Sequence, residues 1–241
     1  MAPRVRHYVT VAIRKCDILM GAATDIKRSV SAAQGRFFRS SDFADSSNYA
    51  AVRKALSRLA ADEELVHIRS GLYWRGRKTR FGMTQPSVMQ IVEAVVGISG
   101  VGYAGAAASN ALGLSSLVPA VMDVAVPMRA PSGFGRIRFV SRAGREKRMQ
   151  ARLNNYEVAL LEVLEGWEDS VEESYEWAVE RLLVLLNDGD IRVEKLVAAS
   201  DTEPAVVRAR LSQFLNDAGH RDEAMTIRYP VAATRHLPIA V

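Results

Sequence analysis

A change of hydrophobic period within residues 45–74 constrains the fold of this chain more than any other feature. Residues 45–48 are all helix N-cap formers, and apolar side chains then recur at the spacing of one helix face. Those apolar side chains are Val52, Ala55, Leu56 and Leu59. After residue 64 the apolar period falls to two, and Ser70-Gly71 separates two short apolar runs, Val66–Ile68 and Leu72–Trp74. This pattern predicts a helix followed directly by a β-hairpin.

The segments around this helix complete the order of a winged helix-turn-helix. A loosely patterned helix is predicted over residues 8–23, a second over Ile26–Ala33, and a short one over Ser40–Phe43. After the hairpin comes the basic run Arg75–Arg80. We therefore expect residues 1–85 to form a winged-helix domain, with the helix before the hairpin as its recognition helix.

Residues 86–241 are predicted to form a second, larger domain of mixed composition. Strands are expected within residues 120–142, and a mainly helical part over residues 154–219. In the helical part, Ser170 and Glu173 have the spacing of a capping box. The predicted fold class is α+β: a winged helix-turn-helix, then a mixed domain with a few strands and a mainly helical C-terminal part.

Charge is distributed unevenly along the chain, although the net value is only +5. Residues 1–85 carry 16 Lys or Arg against 7 Asp or Glu, a net charge of +9. Residues 86–150 carry 7 against 3, which is +4, and residues 151–241 carry 9 against 17, which is −8. A basic first domain suits a polyanion, because each neutralised phosphate releases counterions. The acidic last third would be repelled by the same polyanion, so two separate roles are expected.

The candidate DNA contacts lie on the outward face of the predicted recognition helix and around the hairpin. A helix fits the major groove, and polar side chains on its outer face can reach base edges, while basic hairpin residues contact the backbone. A face of this kind is also typical of an ordinary solvated helix, and winged helices also serve as protein-binding modules. The candidate residues are Ser46, Ser47, Asn48, Tyr49, Arg53, Lys54, Ser57, Arg58, Arg69, Arg75, Arg77 and Lys78.

Several classes of function find no support in the residue pattern. Cys16 is the single cysteine, and the four histidines are dispersed without metal-ligand spacing. The glycines of residues 97–105 lie among Ala and Val, which favours close helix packing over a phosphate loop. No apolar run reaches the length of a membrane span, and no signal-peptide core follows the basic start. We therefore expect a cytoplasmic protein that is not an enzyme and holds neither cofactor nor metal.

The order of several short motifs resembles the AbiEi-type antitoxins of type IV toxin–antitoxin systems, which are bacterial proteins. The motifs that carry the resemblance are Gly35–Phe43, Val52–Leu59, Val66–Tyr73, Tyr103–Ala108, Leu112–Leu114, Arg136–Val140, Tyr156–Leu161 and Arg208–Leu211. The resemblance implies a repressor that binds inverted repeats of double-stranded DNA in its own operator. It also implies a nucleotidyltransferase-like toxin that the C-terminal part counteracts. Ser70 stands where the family often has Arg, and Asp62-Glu63-Glu64 replaces its usual glycine-containing break.

Two other hypotheses remain open from the sequence: an adaptor whose winged helix binds only proteins, and an enzyme using a pocket within residues 87–150. The glutamates Glu172, Glu176 and Glu180 form either a solvated helix face or a partner contact. Residues 190–219 imitate a helix-turn-helix. Because this segment belongs to the acidic last third of the chain, we interpret it as helix packing or a protein contact.

Overall fold

The computed structural model describes residues 23–44 and 48–237. The chain divides into two compact units, one up to Ala94 and one from Val95 onward. The boundary predicted from sequence, after residue 85, lies nine residues before this division. Both units combine helices with small sheets, so the α+β class is confirmed at that level.

The N-terminal unit contains short elements in close succession. In chain order they are α1 (residues 23–32), β1 (Arg36–Arg39), the 3-10 helix η1 (Ser40–Phe43), α2 (Tyr49–Ala61), β2 (Val66–Arg69), β3 (Leu72–Arg75), β4 (Lys78–Thr79), β5 (Gly82–Met83) and α3 (Val88–Val96), which extends past the division. The predicted helix α2 and the predicted hairpin β2–β3 are confirmed. The predicted helix over residues 8–23 lies almost wholly outside the described residues. The sequence had not predicted β1 or the hairpin β4–β5.

A three-stranded antiparallel sheet with the order β1-β3-β2 has two different apolar faces. Phe38 pairs with Tyr73, and both side chains belong to the core that α1 and α2 cover. Phe37 pairs with Trp74, and their rings meet at a centroid distance of 4.7 Å on the opposite face. Strand side chains alternate between faces, so β1 and β3 carry apolar side chains on both sides of this sheet.

The core of the N-terminal unit joins one side of the sheet to the predicted apolar face of α2. Its buried residues are Ile26, Val30, Phe38, Phe43, Val52, Leu56, Leu59, Leu65 and Tyr73. The helix begins at a true cap, because the Asn48 side-chain oxygen accepts a hydrogen bond from the Ala50 backbone at 2.9 Å. It ends at Ala61, and Glu63 just after it is left-handed, with a φ of 55°.

The unit from Val95 onward is larger and mostly helical. Its elements are β6 (Gly102–Tyr103), α4 (Gly105–Leu112), β7 (Met122–Val126), β8 (Ile137–Ser141), α5 (Lys147–Gln150), α6 (Asn155–Glu165), α7 (Trp167–Ser170), α8 (Tyr175–Asn187), α9 (Val193–Ser200), α10 (Ala205–Asp217), α11 (Arg221–Thr226) and the 3-10 helix η2 (Val231–His236). The sheet order is β6-β7-β8, with β7 and β8 parallel. Both strands fall within the predicted range of residues 120–142.

Helix α6 is the centre of this unit and is buried on all sides. It packs against β6 so closely that a Cβ on Gly102 would lie 2.6 Å from the Val158 Cβ. The packing interpretation of the glycine-rich segment is thereby confirmed at this position. The predicted capping box of Ser170 and Glu173 is wrong. Ser170 ends α7, and Ser174 caps α8 by accepting a hydrogen bond from the Trp177 backbone.

Candidate nucleic-acid interface

The outward face of α2 presents polar and basic side chains at helical spacing. Tyr49, Arg53 and Ser57 follow one another four residues apart, and Lys54 and Arg58 run beside them. All five are exposed, Tyr49 to 61% of its surface. The Arg53 guanidinium carbon lies 6.0 Å from the centroid of the Tyr49 ring, so the aromatic ring and the cation form one patch.

Only some of the predicted contacts at the N-terminus of α2 lie among the residues that the structure describes. Asn48 is exposed, and its side-chain oxygen is engaged in capping the helix. Ser46 and Ser47 lie outside the described residues. A change at Asn48 would therefore alter the helix as well as any ligand contact.

The first hairpin, β2–β3, turns at Ser70-Gly71, where Gly71 has the positive φ of 75° that the turn requires. Arg69 and Arg75, the predicted contacts on either side of the turn, are both half-buried. Arg75 donates from Nη1 to the Glu64 carbonyl oxygen at 2.7 Å. Its guanidinium thus connects the hairpin to the segment after α2, which leaves it poorly placed for a ligand.

A second hairpin, β4–β5, carries the remaining predicted contacts, Arg77 and Lys78, and both are exposed. Its two-residue tip adds Arg80 and Phe81, which sequence reasoning missed as site residues. Phe81 is 85% exposed. Arg-Phe is not a usual turn pair, so little in the local sequence signals this hairpin. The one available signal was Gly82, which has a φ of 103°.

This second hairpin is anchored on the Trp74 face of the sheet. The indole Nε1 of Trp74 donates to the Thr84 carbonyl oxygen at 2.8 Å. A Cβ on Gly76 would lie 2.1 Å from that same oxygen, so only glycine allows the backbones to approach. The hydrogen bond from Trp74 and the close backbone approach at Gly76 therefore fix the position of the β4–β5 hairpin in the N-terminal unit.

The surface formed by α2 and the second hairpin is basic, and the hairpin segment contains no acidic residue to offset its cations. Between Leu65 and Val92 the chain has five Lys or Arg and no Asp or Glu. Within residues 23–44 and 48–94, ion pairs join Lys27 to Glu64 and Arg28 to Asp25. Among the described residues, the cations of α2 and of the second hairpin have no ion-pair partner. These cations are Arg53, Lys54, Arg58, Arg77, Lys78 and Arg80.

The arginines after β8 are arranged in the opposite way. Arg148 is completely buried, and it donates to Glu203 at 2.6 Å and to Glu162 at 2.7 Å. Arg145 bonds Glu165 at 2.8 Å and lies 3.3 Å from Glu203. We call these five residues the buried ion network. They join α5, α6 and the segment between α9 and α10, and leave little charge for a ligand.

Glu165 shows how strongly this network is coupled. Burial raises the pKa of the Glu165 carboxyl, but hydrogen bonds from Arg145 and the positive charges of Arg145, Arg142 and Arg148 outweigh that effect. The net result is a Glu165 pKa below the ordinary glutamate value.

Two other predicted contact surfaces lie in the second unit: the glutamates at and before α8, and residues 190–219. Glu176 and Glu180 are exposed on α8, whereas Glu172 precedes that helix and accepts a hydrogen bond from the Ser115 hydroxyl. In the segment that imitates a helix-turn-helix, Arg210 is buried and donates to the Leu164 carbonyl oxygen at 2.9 Å. Arg210 thus links α10 to α6 inside the second unit.

The described part of the chain contains neither a metal-ligand cluster nor a membrane-spanning helix. Within it, no three His, Cys, Asp or Glu side chains are grouped to hold a metal ion. Nor does any described helix combine the length and apolar character that a membrane span requires.

Comparison with known proteins adds little beyond this geometry. A family model, DUF6088, described as a family of unknown function, matches residues 25–130. That range includes α2 and both hairpins. The chain is similar to the crystal structure of the RV2827C protein from Mycobacterium tuberculosis, with a TM-score of 0.45 and 16% identity over 93% of this chain and 81% of that chain. No curated protein matches the chain at a significant level.

Proposed function

We propose that this chain is a DNA-binding transcriptional repressor whose N-terminal unit is a winged helix-turn-helix. The element order supports this proposal: α1, β1, the short helix η1, α2 and then the hairpin β2–β3. In this arrangement η1 and α2 are the two helices of the motif, and α2 enters the major groove.

The observation that carries the proposal is the contrast in arginine pairing. Cations on α2 and the second hairpin are exposed and without ion partners among the described residues, while those around Arg148 are bonded internally. Unpaired surface cations are what a polyanion requires, because they neutralise phosphates without breaking an existing bond. Arg53 and Ser57 then face base edges, and Arg77 and Lys78 face phosphates.

The resemblance to AbiEi-type antitoxins supports a second part of the proposal. In this view the repressor binds inverted repeats before its own operon, and the unit from Val95 onward counteracts a nucleotidyltransferase-like toxin. That unit has 16 Lys or Arg against 19 Asp or Glu, a net charge of −3, which disfavours DNA and suits a basic or mixed protein surface.

The DNA-binding part is tested by titrating the full chain onto labelled DNA from upstream of its gene. We expect binding that weakens steeply with salt, and near-complete loss in the triple variant Arg53→Ala/Lys54→Ala/Arg58→Ala. The matched control removes the same charge from exposed positions of the other unit, with Arg221→Ala/Arg228→Ala/Arg235→Ala. If the chain binds no DNA at low salt, or both triple variants weaken binding equally, the proposal is overturned, and the first result favours a protein-binding adaptor.

The antitoxin part is tested by co-expressing the full chain with the product of the adjacent gene. We expect the wild-type chain to restore growth, and the α2 triple variant to restore it equally well, because repression and neutralisation use different units. Charge reversal at Glu176 and Glu180 asks whether the exposed acidic face of α8 contacts the toxin. Failure of the wild-type chain to restore growth overturns the antitoxin part and leaves DNA binding intact.

A further inference from the structure

Phe81 is an aromatic side chain held in water at the tip of the β4–β5 hairpin. It is 85% exposed and occupies the second position of the two-residue turn between Thr79 and Gly82. Burying a phenylalanine side chain is favourable relative to leaving it in water. The exposed ring is not buried on folding. The free energy gained by burying it can therefore stabilise a complex.

The tip that carries Phe81 is ordered by its own hydrogen bonds. The Thr79 hydroxyl donates to the Gly82 carbonyl oxygen at 2.8 Å and accepts from the Phe81 backbone at 3.2 Å. Gly82 has the positive φ that closes the turn, and the base of the hairpin is fixed on Trp74 through Thr84. A ring presented on an ordered turn binds with a smaller loss of conformational entropy.

The charge around the ring narrows the choice of ligand. The Arg80 guanidinium carbon lies 4.6 Å from the centroid of the Phe81 ring, and the exposed cations Arg77 and Lys78 precede it on the hairpin. An apolar side chain surrounded by cations suits a ligand that has an apolar interior behind an anionic surface. Stacked base pairs between two phosphate backbones have this character.

We propose that Phe81 is a wedge that inserts between stacked base pairs of duplex DNA from the minor groove, with Arg80, Arg77 and Lys78 on the flanking phosphates. This inference rests on the proposed DNA binding and adds a deformation of the duplex to it. Unstacking one base step costs free energy, which burial of the ring and the phosphate contacts offset.

The test uses the full chain and duplexes enriched from a random pool by binding to it. In these duplexes 2-aminopurine, whose fluorescence rises on unstacking, replaces adenine at one position at a time. We expect saturating wild-type chain to raise the fluorescence at one step. Phe81→Ala abolishes that rise and weakens binding about tenfold, the equivalent of partial ring burial. Phe81→Leu retains the rise because leucine is also an apolar wedge. The control Val231→Ala, at an 84% exposed position of the other unit, changes neither signal.

The outcomes separate this inference from the proposed function. Phe81→Ala that binds and unstacks DNA like the wild type overturns the wedge and leaves DNA binding standing. If Phe81→Leu loses the signal and Phe81→Trp keeps it, an aromatic face is required. That result overturns the duplex wedge in favour of stacking on an unpaired base. A wild-type chain that binds no duplex overturns both proposals.

Discussion

The two units of this protein use the same side chain for opposite purposes. In the N-terminal unit Arg53, Arg77 and Arg80 extend into solvent without an ion partner among the described residues. In the second unit Arg148 and Arg145 lie inside the fold and bond glutamates from two other segments. The first arrangement costs little desolvation and keeps its charge for a ligand. The second removes charge from solvent and is tolerable only because each buried carboxylate has its own donors.

The net charge of a sequence range is therefore a weak guide to how many of its cations are exposed and unpaired. Residues 86–150 have a net charge of +4, yet Arg145 and Arg148 within them are neutralised by glutamates beyond residue 151. Pairing and burial decide whether an arginine stabilises the fold or remains available for binding.

The largest effect is expected for Arg148→Ala in the buried ion network. Removal of this guanidinium leaves Glu162 and Glu203 buried with fewer donors, and the expected loss of stability is about 3–5 kcal/mol. Urea unfolding of the full chain measures it. The control Arg138→Ala breaks the pair between the exposed Arg138 and the half-buried Asp123 and should change stability little. Equal effects of the two variants would mean that burial does not distinguish these pairs.

A smaller effect, on binding alone, is expected within the N-terminal unit. Arg53→Ala should cost about 1–3 kcal/mol of DNA affinity and relax the preference at one base position. Arg77→Gln should weaken binding to all sequences alike and lower the salt slope by about one. Anisotropy titrations over a salt series with matched operator variants measure both effects. Identical behaviour of the two variants would show that α2 is not the element that recognises bases.

The next change separates a helix cap from a ligand contact. Asn48→Ala should lower the stability of the N-terminal unit by about 1 kcal/mol, because the Ala50 N–H loses its acceptor. Asn48→Ser keeps a capping oxygen and should preserve stability. Any loss of DNA affinity in the serine variant then reports a direct contact. If both variants unfold at the wild-type urea concentration, the cap contributes nothing.

Glu63→Gly should stabilise the N-terminal unit slightly. The left-handed backbone at φ 55° costs a non-glycine residue about 1–2 kcal/mol, which glycine avoids. Glycine in turn loses about 0.5–1 kcal/mol of stability, because its unfolded state has a higher conformational entropy. A net gain of roughly 0.5–1 kcal/mol should appear as a higher unfolding midpoint. Glu63→Ala keeps the strain, so it is the matched control. A glycine variant no more stable than the alanine variant would contradict the assignment of strain.

The smallest change concerns pH and one partly exposed carboxyl. Because the folded-state pKa of Glu165 lies below its unfolded value, its contribution to stability is fully present above the unfolded pKa of about 4.3. That contribution is lost as pH falls through the lower, folded-state pKa. Urea midpoints measured across this range should fall less steeply for Glu165→Gln than for the wild type. Parallel pH profiles would show that Glu165 contributes nothing to the acid sensitivity.

Local pattern was enough to predict the elements whose signals lie within a few residues. The stripe from Val52 to Leu59 with Asn48 before it identified α2, and alternation around Gly71 identified β2–β3. Alternation also located β7 and β8. The same local logic failed at Ser170, where the chain makes the separate helix α7 before Ser174 begins α8. A capping signal alone did not distinguish the two serines.

The sequence by itself therefore determined the α+β class, the helix and hairpin of the N-terminal unit, and the surplus of cations in that unit. Tertiary structure alone decided which cations are available, because the partners of Arg148 lie 14 and 55 residues away along the chain. It also decided that residues 78–83 form a hairpin. That hairpin covers the face of the sheet that carries Trp74 and Phe37, and this face forms only once β1 has paired with β3. Caps and periods act over one or two turns of chain, whereas burial and ion pairing depend on segments that only the folded state brings together.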